Sequence, residues 1–574
     1  MALDLVQIYL VTLSGAVGIP ILLFAARSSG GYVTPYLRRQ CASMIHSTLT
    51  FWPRTSYLQT ALILLYIGVN AAVLSFHTKS ESTRDGTLSK RASLLASANM
   101  MLLFLGGRTN PSVDFVQIPL FVHRFAHRWI AVVATGEALL HAVLELSQRP
   151  RLRPVALSGC VSAGSLLLTG LIALWPGRRL GRLYGKAHLL VYLAVLAGLL
   201  WHVLLQTSKT AKILAFVCCG LWAGAHIFRL VRMFLLGHAY AEVIQVQENA
   251  HAVQVTVKTA RPLGFFPGCY YYVFFKGPLP FYDLFHGYPM MPFWASSEYV
   301  TTGAASEFNF LASQTGAHER ALRTLRKGQF LRLDGPYGRD LRLQSYETVV
   351  LAAKGMGIVG VLPFARHLAE RRNHDDGARN ESARLRDSRE PVFGDLSRNV
   401  DLIWWLENKQ QEDWVAEQLK QLQKLDTKNL LVVWCVYPSS RGKKPPYRVN
   451  DYWKARHDFD TASFARELRQ ETRYPGENVL LACGEVAFMS EMRTLALENT
   501  TPDRFIRFLE VEFRPSPTGN TTKGIQSALQ PSFNEDVELQ RVPSSYSRGS
   551  WDSQVTLVEQ VKTQRPKQGK KRKI

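Results

Sequence analysis

Long apolar runs fill the chain up to Leu236 and then stop. Seven candidate spans, near 7–25, 57–76, 91–106, 127–147, 155–175, 185–206 and 210–236, approach the ~20 residues a helix needs to cross hydrocarbon. The third is the shortest. After Leu236 the period shortens to two: YAEVIQVQ, HAVQVTVKTA and CYYYVFFKG alternate apolar and polar positions and predict the strands of a small antiparallel barrel ending near Leu343. Beyond it, ETVVLAAKGMGIVGVLPFARHLAE reads as strand, glycine turn and amphipathic helix. VDLIWWLE, NLLVVWCVYP and NVLLACGEVAFMSEMRTLALE continue the alternation of strand and helix, which predicts a parallel sheet with its ligand at the strand C-terminal ends. The polar stretch 371–399 reads as a mobile surface insertion, because it has no apolar period. The expected fold is multi-domain: a seven-helix transmembrane bundle, an antiparallel β-barrel and an α/β domain, with boundaries at 1–54, 55–236, 237–345, 346–513 and a disordered basic tail 514–574.

Polar residues inside the apolar runs carry the candidate chemistry. His127 and His141 lie in one run, His188 and His202 in another, at the same spacing of fourteen. At about 100° per residue such a pair faces one side of a helix, about 21 Å apart along the axis. Two helices of this kind side by side would offer two His–His clamps. A lone histidine in a span can be a packing residue bonded to a carbonyl, but two matched pairs point to a cofactor, and iron porphyrin with two axial imidazoles satisfies all four rings. His123 competes with His127 but would be eighteen residues from His141, a spacing the second run lacks.

The chain carries a net charge of +23 over 574 residues. Six of its last ten residues are basic, which fits contact with anionic lipid, or a solvated end, better than nucleic acid beside a membrane domain. Loops 26–56 and 176–186 each hold four basic residues and no acidic one, placing the C-terminal half in the cytosol. The opposite loops are basic too, with Lys79, Arg84, Lys90, Arg149, Arg151 and Arg153. The first span lacks a basic leader region and a cleavage site and reads as retained. Seven cysteines without C-x-x-C spacing suggest neither zinc nor a disulfide framework.

With histidine pairs, barrel and nucleotide-type sheet in that order, residues 55–513 resemble the fungal ferric reductase family, relatives of the NADPH oxidase core. GRTNP before the first histidine helix and HRW at its start share the likeness. The resemblance implies that His127 with His188, and His141 with His202, hold two b-type haems, that the barrel binds FAD and that the last domain binds NADPH. The flavin motif departs from the family: Met291-Pro292-Phe293-Trp294 stands where His-Pro-Phe-Thr or Ser is usual, leaving Trp294 to stack and Ser296 or Ser297 to supply a hydroxyl. Gly335-Pro336-Tyr337-Gly338 agrees with the family's turn at the barrel's end, and Gly355, Gly357, Cys483 and Gly484 with its NADPH motifs. Lys354 replaces a glycine and Glu485 a proline. Phe513 lies near the position of the aromatic that covers the flavin in relatives, and Arg128 beside His127 is a candidate for a haem propionate.

The implied protein is a multi-pass plasma-membrane enzyme, an NADPH-dependent ferric-chelate reductase using FAD and two haems to reduce an extracellular ferric or cupric chelate. Two alternatives stay open: an oxidase delivering electrons to oxygen, and a haem-bearing membrane protein whose nucleotide half has decayed at Met291, Trp294, Lys354 and Glu485.

Overall fold

A computed structural model describes, with short gaps, residues 56–75, 84–104, 120–148, 154–174, 182–234, 240–275, 287–313, 322–384, 392–438 and 445–511. The expected first span, the tail and Phe513 lie outside the described residues. Six helices come first: α1 Tyr57–Ser75, α2 Arg84–Phe104, α3 Leu120–Gln148, α4 Pro154–Leu174, α5 Arg182–Leu204 and α6 Lys209–Phe234. Four stretches within them, Tyr57–Ser75, His123–Gln148, Pro154–Ile172 and Ala211–Val231, are long and apolar enough to cross a membrane, and Leu190–Leu204 is a shorter apolar helix. Their outward faces carry bare aliphatics, Leu64 at 65% and Leu190 at 71% exposure, a pattern stable only against lipid tails. The chain is therefore a multi-pass membrane protein.

Packing among these helices is uneven. α3 packs on α2 and on α4, and α4 packs closely on α5, whereas α3 and α5 share few direct contacts. Gly198 of α5 sets the close approach to α4: a Cβ there would lie 3.1 Å from the Ser162 backbone. The two histidine-bearing helices are thus held by a common neighbour, α4.

Seven antiparallel strands follow, β1 Tyr240–Asn249, β2 Ala252–Gly264, β3 Tyr270–Phe274, β4 Tyr288–Met290, β5 Pro292–Ala295, β6 Ala304–Ser313 and β7 Phe330–Tyr337, in the order β4-β3-β7-β1-β2-β6-β5. The two edge strands are consecutive in the chain and separated by Met291 alone, so the sheet curls until its edges meet, as a barrel requires. Arg229 near the end of α6 ties the membrane half to this sheet through Asp334 of β7, at 3.4 Å.

The α/β unit comprises β8 Thr348–Lys354, α7 Ile358–Arg384, β9 Asn399–Trp405, α8 Ala416–Leu425, β10 Leu431–Tyr437, β11 Trp453–His457, α9 Thr461–Glu471, β12 Asn478–Cys483, α10 Val486–Glu498 and β13 Ile506–Glu510. Its strands are parallel in the order β11-β10-β9-β8-β12-β13. The expected insertion at 371–399 is corrected in part, because α7 runs on as helix to Arg384. Two contacts support the extension: Arg371 pairs with Asp395, and the buried Asp375 carboxylate accepts the Phe393 and Gly394 N–H groups at 2.8 and 3.0 Å. A polar sequence formed a helix because the segment returning to β9 supplied partners that local periodicity does not reveal.

One buried group works against the sheet. Asp401 on β9 is almost wholly enclosed, its Oδ1 has no partner, and burial together with Glu471 and Glu467 raises its carboxyl well above the usual range. A folded state that binds this proton more tightly than the unfolded chain loses stability as pH climbs past the unfolded value. Asp401→Asn is therefore expected to raise the thermal midpoint, by the equivalent of about 1–3 kcal/mol at neutral pH, with the gain vanishing near pH 4. Melting curves from pH 4 to pH 8 check both sign and window.

Candidate functional site

The His141–His202 pair is built from four helices. His141 of α3 and His202 of α5 bring their rings to 6.2 Å between centroids at an interplanar angle of 64°. His141 Nδ1 faces the Ser89 carbonyl at 3.1 Å and the Ser89 hydroxyl at 2.9 Å, and that hydroxyl donates to Glu145 at 2.8 Å. His202 Nδ1 faces the Val155 carbonyl at 2.9 Å, with the Ser158 hydroxyl at 3.3 Å. Both rings thus have Nδ1–H directed at a main-chain acceptor, which leaves Nε2 basic, the arrangement metal-bound histidines use. The spacing agrees with this: a metal–nitrogen bond of about 2 Å on either side of one ion puts ring centroids about 6 Å apart. Gly159 on α4 makes room, since a Cβ there would stand 2.9 Å from His202 Cε1. In this structure the Gln206 amide lies 2.7 Å from His202 Nε2, so it has to turn aside for a metal to bind. These donors fit an iron porphyrin.

The inner pair is less closed. His127 Nδ1 is buried without a hydrogen-bond partner, the His123 ring stacks against it at 6.2 Å, and His188 lies close enough to act on it electrostatically. His123, set aside on register, is therefore part of the same cluster.

At the barrel, Met291 and Phe293 are buried in the core while Trp294 stays partly open. Arg366 of α7 lies over the Trp294 ring at 4.0 Å, donates to the Ala295 carbonyl and pairs with Glu370 at 2.8 Å. Next to it the His367 ring stacks on Tyr299 and is held neutral, its pKa pushed down to about 3 by burial and Arg371. A cleft of about 250 Å³ opens beside Trp294, Ser296, Asn309 and Arg366. The Ser296 hydroxyl donates to Glu298 and accepts the Ser306 N–H, so it is engaged in a turn. Sequence reading missed Arg366, which carries no motif and reaches the barrel only through the docking of α7.

Gly335, Pro336 and Tyr337 close β7, with Gly338 beyond it at φ +111°. The Tyr337 ring stacks on Tyr270 at 5.8 Å and its hydroxyl donates to Asp334 at 2.8 Å. Gly335 is required by its neighbour, since a Cβ would stand 2.6 Å from the Tyr271 ring.

The remaining glycines meet at one point. β8 is flanked by β9 on one side and β12 on the other, so the strand order reverses at the β8/β12 boundary, the crevice where open α/β sheets take their ligands. There Gly357 backs onto the Cys483 carbonyl and Gly360 onto the Cys483 thiol. Gly355 adopts φ +52° beneath the Glu407 carboxylate, and Trp404 Nε1 holds its carbonyl at 2.9 Å. The two departures noted in the sequence are partners here: Lys354, ending β8, pairs with Glu485, the residue that opens α10. The pair bridges the crevice, and at 35% and 43% side-chain exposure it adds at most about 1 kcal/mol to stability.

A multi-pass helical membrane domain followed by an antiparallel barrel and a parallel α/β sheet defines the class of this protein. Residues 92–199 match the model described as "Ferric reductase like transmembrane component". Ferric reductase transmembrane component 5 of Saccharomyces cerevisiae is 22% identical over 364 residues, covering 58% of this chain and 50% of that protein. The chain thus spans half the length of that relative. Among solved structures it is similar to a flavohemoglobin from Malassezia yamatoensis (14% identity, TM-score 0.34, 74% of this chain and 97% of that one). It is also similar to the flavohem-like FAD/NAD-binding domain of nitric oxide dioxygenase from Vibrio cholerae O1 biovar El Tor (15%, TM-score 0.32, 48% and 99%). Those scores are low, and the architecture stands on the strand orders above.

Proposed function

We propose that this chain is a transmembrane oxidoreductase of the plasma membrane that moves electrons from cytosolic NADPH to a ferric or cupric chelate outside. The observation that carries this is the outer clamp: two imidazoles from separate spans, 6.2 Å apart, each with Nδ1 facing a main-chain carbonyl. When bound, FAD converts hydride to single electrons and two b-type haems relay them across the membrane. His141 with His202, and His127 with His188, would hold the haems. Pro292–Trp294 would back the flavin, with Arg366 and its partner Glu370 setting the position of Trp294. Gly355 and Gly357 would let the backbone at the start of α7 approach a phosphate, and Lys354 would have to exchange its partner Glu485 to contact it. No side chain has to act as general acid or nucleophile.

A reduced-minus-oxidised spectrum of membranes containing the full chain tests the reading. Expected are b-type bands that also form when NADPH replaces dithionite, and chelate reduction by intact cells. Superoxide release without chelate reduction would make oxygen the acceptor. Haem bands that dithionite raises and NADPH leaves unchanged, in protein purified without flavin, would reduce the C-terminal half to a scaffold.

A further inference from the structure

A buried carboxylate in the membrane half belongs to none of the sites above. Glu137 lies on α3, ten residues after His127 and four before His141, so its depth falls between the two histidine levels, about 6 Å from the outer one along the axis. It is 4% exposed, facing Asn99 of α2, itself fully buried. Asn99 donates one amide hydrogen bond to Glu137 Oε2 at 2.9 Å and one to Asn70 Oδ1 at 3.0 Å, and accepts the Tyr66 hydroxyl at 2.8 Å. Asn70 in turn donates to the Tyr66 carbonyl at 2.8 Å. This chain of amides has a direction: it delivers an N–H to Glu137. Glu137 Oε1 is buried with no hydrogen-bond partner among the described residues.

The charges around the group are few. α1 and α4 contain no Asp, Glu, Lys or Arg. Those of α2 are Arg84, Asp85, Lys90 and Arg91, at least about 12 Å along the helix from Asn99. On α3 itself His141 lies one turn on and Glu145 two turns on. Tyr66 is the titratable group of the network, Cys160 is the one thiol of α4, and Tyr192 of α5 and Cys218 and Cys219 of α6 lie in the cluster that holds Ala134 and Ala138 of α3. No cationic side chain of these helices stands against Glu137 to balance an ionised carboxylate, and an uncompensated charge at such depth is costly. The one positive charge that would come and go nearby belongs to the metal between His141 and His202: a ferric porphyrin with two neutral imidazoles carries +1, its ferrous form none.

We propose that Glu137 is a redox-linked proton site. When the outer centre is ferric its positive charge keeps the carboxylate ionised. When one electron from the reduced dinucleotide makes it ferrous, one proton from water adds to Glu137 Oε1, and reoxidation by the acceptor releases it. The net change is Fe(III), an electron, a proton and a carboxylate giving Fe(II) and a carboxylic acid. Charge in the membrane interior is then constant through each turnover. The proposal rests on the haem reading of the histidine pairs.

Its test is a spectroelectrochemical titration of the full chain in nanodiscs at pH 6, 7 and 8. A one-electron centre coupled to one proton moves by up to about 59 mV for each tenfold change in proton activity. The wild-type outer haem is expected to show such a slope, Glu137→Asp to retain it and Glu137→Gln, which keeps the Asn99 bond and the volume, to lose it. A flat wild-type titration, or an undiminished slope in Glu137→Gln, would overturn the proposal. If Glu137→Gln takes up no haem, the infrared difference spectrum of wild type decides: a carboxylic C=O band appearing on reduction and shifting with carbon-13 glutamate supports the proposal, and its absence sinks it. Protein without any b-type spectrum would instead remove the haem reading itself.

Discussion

His141→Ala strips roughly half of the haem from the purified full chain, leaving one low-spin centre of the expected two. The loss follows from how the ligand is held. His141 Nδ1 is aimed by the Ser89 carbonyl and hydroxyl, and the opposing ring of His202 is aimed by the Val155 carbonyl, so each imidazole is held in one orientation. Removing one ring would leave iron with a single imidazole ligand at this level. The Ser89–Glu145 contact gives an internal control: Ser89→Ala keeps the carbonyl acceptor, and is expected to retain the haem while changing its potential, because the hydroxyl that links His141 to Glu145 is gone. Pyridine haemochrome content per polypeptide reads the first result and a redox titration the second. Unchanged haem in His141→Ala would remove the outer clamp from the mechanism.

Gly357→Ala is expected to be the most damaging single methyl in the C-terminal half. A Cβ at this position would stand 1.9 Å from the Cys483 carbonyl oxygen and 2.6 Å from its carbon, and both are backbone of strand β12, the neighbour of β8. Neither has a rotamer to escape through. Relief requires β8 and β12 to separate at the very boundary where the strand order reverses. The cost belongs with the exceptional substitutions, above about 4 kcal/mol, and the nucleotide-dependent haem reduction should vanish with it. Gly377→Ala provides the contrast within the same helix-bearing unit. Nothing lies within 4 Å of its added methyl and it sits inside α7, so the gain in helix propensity should stabilise by about 0.5–1 kcal/mol. Thermal melting followed by tryptophan fluorescence, together with dinucleotide titration, separates the two. Equal melting points for wild type and Gly357→Ala would show that the strand ends are not packed as described.

Both of these residues were visible in the chain as spelled: His141 by its fourteen-residue partner, Gly357 by its place after an apolar strand. What was not visible is what surrounds them. Ser89 has no motif, and its link between His141 and Glu145 exists because α2 crosses α3 at that level. Lys354 and Glu485 stood out only as two separate departures from a family pattern, 131 residues apart; adjacency of β8 and β12 makes them a single ion pair. Glu137 carries no motif, and its surroundings come from two other helices, with Asn99 donating both to it and to Asn70.

The order of the parts, the helical character of the first half, the alternation of strand and helix in the last and the four histidines were settled by the chain alone. Each depends on local period or on spacing along one element, and those are properties of consecutive residues. Which strands lie side by side, which carbonyl steers each imidazole, how far the polar segment after Arg371 stays helical and where a carboxylate is buried without a countercharge were decided only in three dimensions. These depend on contacts between residues tens to hundreds of positions apart, and no local pattern records which distant backbone a side chain will meet.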